Sequence, residues 1–119
     1  SFVTLACLNI KAYAITENQY LVINKLIDEE NIDKAFSDLK VLQKNETKLS
    51  ARSQILIGKI YLALEQPAKA FGFFEQATFT SVSTDDLAYA GMSISAIKLG
   101  NLSDAKSYAE KALDENHYK

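Results

Sequence analysis

Three stretches of this chain repeat one another, and that repeat restricts what the chain can fold into more than any other feature. Asn31-Ile-Asp-Lys-Ala35-Phe36, Gln66-Pro-Ala-Lys-Ala70-Phe71 and Asn101-Leu-Ser-Asp-Ala105-Lys106 align with their alanines 35 residues apart each time. Every alanine follows an Asn or Gln placed four residues earlier. After each, apolar side chains recur at helical spacing: Phe36, Leu39 and Leu42; Phe71, Phe74 and Ala77; Tyr108, Ala109 and Ala112. Asn31 and Asn101 suit helix N-caps, and Pro67 falls at a first helical position, where a proline forfeits no hydrogen bond.

A second helical run precedes each alanine, over about residues 17–29, 49–64 and 85–99. Links of two to four residues force the paired helices antiparallel. The expectation is an all-α chain of three αα-hairpins, over about residues 16–48, 49–83 and 84–119. None can bury its apolar face alone, so the hairpins must stack. Composition agrees. Four Gly and one Pro in 119 residues are too few for a turn-rich β protein, and 48% apolar with 24% charged residues is ordinary for a globular domain.

The middle repeat resembles a tetratricopeptide repeat. Gly58 and Tyr61 lie on its first helix and Ala70, Phe74 and Ala77 on its second, at that family's spacing. The third repeat keeps Leu99-Gly100, Ala105, Tyr108 and Ala112, with Ser93 in the place of Gly58. The first keeps Ala35 but has Ile23 where a small residue belongs and Leu42 in place of the later alanine. The resemblance implies a right-handed superhelical stack of three antiparallel hairpins, an α-solenoid of tetratricopeptide type, over residues 15–119. Gly58 and Ala70 would sit where the helices of a hairpin cross, with Tyr61 and Phe74 filling the space between hairpins.

The resemblance also implies a function. First helices of such repeats line a concave groove that holds a peptide or a helix. The groove positions carried over are Tyr20, Asn24 and Ile27; Arg52, Ile55, Lys59 and Leu62; Leu87, Ala90, Ile94 and Ile97. A grip on a terminal carboxylate does not fit, because Lys59 stands where a second asparagine would be needed and the third repeat offers only apolar residues. Arg52 and Lys59 could instead orient an acidic group on an apolar ligand. Residues 87–97 carry no charge on any face, which marks either a missing capping helix or a surface for a partner or a second copy. The second helix of that repeat has a polar outer face: Asp104, Lys106, Ser107, Glu110, Lys111 and Asp114.

Residues 1–14 stand apart. An apolar run over residues 2–10 leads to Lys11 and Ala12-Tyr13-Ala14, the pattern of a secretory signal and its cleavage site. The basic start of such a signal is missing, so on this reading the chain begins inside it, and the cut would leave Ile15 first. The other reading is an N-terminal helix that packs on the repeats. Leu5-Ala6-Cys7 ends like a lipobox but has Thr4 where a large aliphatic residue is preferred. The run is too short to cross a bilayer, which takes roughly 20 apolar residues.

Catalysis and metal binding fail on inventory. One cysteine, Cys7, and one histidine, His117, give no disulfide, no metal set and no nucleophile–base pair. Gly58, Gly72, Gly91 and Gly100 are isolated and form no phosphate loop. Glu29-Glu30 and Asp85-Asp86 read as helix-end carboxylates. A net charge of −2 with dispersed lysines gives no nucleic-acid footprint. No cofactor is implied. The expected function is a protein–protein adaptor of a bacterial periplasm or envelope, in pilus, secretion or envelope assembly. The alternatives are a cytoplasmic chaperone-like protein masking an apolar client segment and an accessory domain of a larger enzyme.

Overall fold

A computed structural model describes residues 15–44, 46 and 48–117, the side chains of residues 115–117 excepted. The expectations for residues 1–14, Cys7 included, and for the His117 side chain lie outside it. Helix accounts for 83% of the described residues, and no strand occurs among them. The helices are α1 (Glu17–Asp28), α2 (Ile32–Gln43), α3 (Ala51–Ala63), α4 (Pro67–Thr80), α5 (Asp85–Lys98) and α6 (Leu102–His117), with a 3-10 turn at Val82–Thr84. The chain is all-α, with helix limits within about two residues of those the periodicity predicts.

The three hairpin turns share one construction. In each, the first helix ends in a residue of left-handed conformation: Glu30 at φ 62°, Glu65 at φ 61° and Gly100 at φ 82°. The N–H of Asn31 reaches back to Leu26 O (2.8 Å) and that of Glu30 to Ile27 O (3.0 Å). Gln66 to Tyr61 (2.9 Å) with Glu65 to Leu62 (3.0 Å), and Asn101 to Ala96 (2.9 Å) with Gly100 to Ile97 (3.0 Å), repeat the pair. This crossed arrangement satisfies the last carbonyls of a helix that would otherwise have no partner. The 35-residue period is thus present in the backbone and not only in the side chains. Glu30 and Glu65 adopt a conformation that disfavours a Cβ, whereas Gly100 has none to accommodate. Gly100→Ala should therefore destabilise the fold by about 1–2 kcal/mol, read as a lowered urea midpoint; an unchanged midpoint would show that the third turn tolerates a side chain.

The turn also decides how the next helix starts. Asn31 and Gln66 each donate backwards from their own N–H and accept from Ala35 and Ala70 through their own carbonyls (3.0 and 3.1 Å). Their ψ values of 64° and 69° differ from the 163° of Thr16 and Ser50, whose hydroxyls do cap their helices. The Asn31 side chain consequently makes no cap hydrogen bond, contrary to the sequence expectation, because the preceding turn has already fixed its backbone. Thr16 and Gln19 form the reciprocal capping box at α1. Ser50 accepts from Ser53 N (3.2 Å) at α3, and Pro67 opens α4 as expected.

Three-residue turns leave sequential helices side by side and antiparallel, as α1–α2, α3–α4 and α5–α6. The hairpins then join through α3 against α1 and α2, and α5 against α3 and α4. Ala35 and Ala70 are fully buried and Ala105 nearly so. Opposite Ala105, Ser93 donates to its carbonyl oxygen at 2.7 Å, so the small residue at that crossing also satisfies a buried backbone acceptor. Between hairpins two and three the Phe74 ring fills the gap at 1% exposure. Tyr61 takes another place than the one expected. It is half-buried and stacks on Phe73 of its own hairpin, centroids 5.6 Å apart.

Candidate functional site

The first helices of the three hairpins, α1, α3 and α5, enclose a hollow of about 160 Å³. Seven of the eleven groove residues expected from the sequence line it: Tyr20, Ile55, Lys59, Leu62, Leu87, Ala90 and Ile94. Phe74 and Gly91 complete the lining. The period explains the convergence, since Tyr20, Ile55 and Ala90 share one register position and Asn24, Lys59 and Ile94 another. Of these six residues all but Asn24 line the hollow.

Apolar residues make up most of this surface, and its polar groups are few. Lys59 donates from Nζ to Asn24 Oδ1, a bridge between α1 and α3. Burial pulls the Lys59 ammonium below the usual lysine range, and Asp28 pulls the other way. Burial raises the Tyr20 hydroxyl above its usual range, Asp28 and then Asp86 add to the rise, and Arg52 opposes it. A half-buried ammonium over an apolar floor can attract a carboxylate on an entering ligand, because the partial desolvation that lowers its pKa also strengthens its pairing.

The remaining expected residues fall elsewhere. Arg52 donates from Nη1 to the backbone oxygen of Ile15 at 2.9 Å, which ties the start of α1 to α3. Asn24 supports Lys59 without lining the hollow. Ile27 is 9% exposed and belongs to the core, while Ile97, two periods further along the same row, is 55% exposed and does not line the hollow.

Gly91 is the residue the repeat alignment did not single out. A Cβ there would lie 2.4 Å from Cδ1 and Cε1 of Phe74, and one at Gly58 would lie 2.8 Å from its Cζ. The ring is therefore clasped between two glycines on α3 and α5. An isolated glycine inside a helix, where it costs about 0.5–1 kcal/mol against alanine, was the available signal.

The corresponding place on the third hairpin is open. One period after Phe74 stands Ala109, and one period after Gly58 stands Ser93. Both line a second hollow of about 510 Å³ with Asp86, Leu87, Ala90, Ile94, Ala112 and Leu113. In hairpin two the matching Ala51, Ile55, Phe74 and Ala77 are buried. On α5 the inner residues Ala88, Met92, Ser95 and Ala96 are buried, whereas Leu87, Ile94 and Ile97 are 43%, 47% and 55% exposed. The polar outer face expected for α6 is exposed, and Leu102 and Leu113 are exposed beside it.

No group of residues suited to hold a metal ion occurs among the described residues. No helix among them is long and apolar enough to cross a membrane. Compared with known proteins, the chain matches no family model, no curated protein and no solved structure.

Proposed function

We propose that this chain is a non-enzymatic helical-repeat scaffold of tetratricopeptide type, its hairpins forming a right-handed stack that holds an apolar segment of a partner protein. The observation that carries this reading is the hollow on the first-helix side, built by three hairpins from the same register positions. The ligand class follows from the lining. A short peptide or helix with large aliphatic side chains would fill the space over Phe74 and Ile55, and an acidic group would approach Lys59. Placement at a bacterial periplasm or envelope, as an assembly adaptor, belongs to the same proposal and rests on the run over residues 2–10 and Ala12-Tyr13-Ala14.

Leu62→Glu tests the hollow directly. Leu62 is only partly buried, so the fold should survive while a charge enters a contact meant to be dry. Peptides selected by display on the wild-type chain should lose at least about tenfold in affinity for the variant, roughly 1.4 kcal/mol, with circular dichroism unchanged. Undiminished binding by the folded variant would place the partner elsewhere.

A further inference from the structure

Size restricts what the first-helix hollow can hold. At about 160 Å³ it is close to the roughly 150 Å³ that admits a benzene molecule, and well below the 300 Å³ or so of a site for a larger organic ligand. One compact hydrocarbon group of about six carbon atoms fills it. Lys59 is the single charged residue of the lining, and Tyr20 is the only other one with a side-chain hydrogen-bond donor. No acid lines the hollow. Asp28, which acts on both Lys59 and Tyr20, and Asp86, which acts on Tyr20, lie outside the lining. The Lys59 Nζ donates to a neutral amide oxygen, Asn24 Oδ1, and not to a carboxylate. Burial has already stripped part of its water, so a carboxylate brought against it displaces little more.

We propose that this hollow is a site for a free monocarboxylic acid of about six carbons, with its hydrocarbon end over Ile55 and Phe74 and its carboxylate at Lys59. The inference rests on the reading of this hollow as the binding site and names a ligand class for it. A peptide or a helix is larger than the hollow and can place only one side chain in it. A small acid carries its apolar group and its anion within the one space. Such an acid occupies the floor that a partner's side chain would need, so the two exclude each other. The chain is then a scaffold whose grip on its partner falls as the acid accumulates.

The probes are sodium hexanoate, hexanol and sodium acetate, followed through the backbone amide resonances of Ile55 and Gly91, which both line the hollow. Hexanoate should shift them saturably with a Kd of about 1 mM or tighter, at least about tenfold tighter than either control. Hexanol lacks the anion and acetate lacks the hydrocarbon. Lys59→Met keeps the aliphatic stem and removes the charge. It should weaken hexanoate at least about tenfold and leave hexanol unchanged, and the retained hexanol binding reports an intact hollow. The comparison of probes on the wild-type chain decides the matter if that variant does not fold. At about ten times its Kd, hexanoate should lower the apparent affinity of display-selected peptides by about tenfold. Hexanoate no tighter than hexanol, binding that survives Lys59→Met, or peptides that hexanoate fails to displace would each overturn the proposal. Peptides that need Leu62 while hexanoate shifts neither amide remove the acid and leave the scaffold reading in place. Hexanoate that binds where no peptide does has the reverse meaning.

Discussion

Phe74→Ala is expected to cost about 3–5 kcal/mol of folding stability, the range for removing a fully buried phenyl ring. Whole domains are stable by about 5–15 kcal/mol, so this one change removes a large share. The ring is 1% exposed and is the side chain around which α3, α4 and α5 meet. Its two glycine neighbours offer no side chains that could collapse into the space. Relaxation would need a whole helix to move. Urea denaturation of the variant and the wild type gives the difference directly. A loss below about 1 kcal/mol would mean that the hairpins close over the gap and that the ring is not the element joining hairpins two and three.

Gly91→Ala and Gly72→Ala should change stability in opposite directions. Both glycines are helical, and alanine gains about 0.5–1 kcal/mol in either place from helix propensity alone. At Gly72 a Cβ meets nothing within 4 Å, so that gain should appear undiminished. At Gly91 it would meet Cγ of Phe74 at 2.6 Å, the ring atom nearest the backbone and the one least able to swing away. Overpacking of this kind costs about 1–3 kcal/mol, and the net effect should be a loss of about 1–2 kcal/mol. Matched thermal melts of the two variants decide it, and a stabilising Gly91→Ala would remove the clasp from the account of this fold.

The period of the alanines and the short links between apolar runs were enough to read the helix order and the hairpin pairing from the sequence. Both are local properties: a turn such as Leu99-Gly100-Asn101 is specified by residues that touch one another along the chain. Seven residues that line the first-helix hollow were legible for the same reason, because register fixes which row a side chain joins. Register does not fix what covers that row. Ile27, Leu62 and Ile97 occupy equivalent positions and end up buried, half-buried and exposed. Arg52 meets the carbonyl of Ile15, 37 residues away, a contact no periodicity encodes. Gly91 lies outside the pattern altogether, since one period earlier stands Leu56, which is fully buried. Its meaning depends on where the Phe74 ring points, and that is settled only when three helices come together.

Phe74 belongs at once to the core and to the floor of the first-helix hollow. On the proposed reading, a molecule seated on that floor would press on the ring that lies between α3 and α5. Occupancy and helix spacing would then be mechanically joined, with the phenyl group as the pivot. Small rotations of one hairpin about it would widen or narrow the opening without breaking a backbone hydrogen bond. On that reading the hollow would act less like a fixed mould than like a pair of jaws whose hinge pin is a single aromatic side chain.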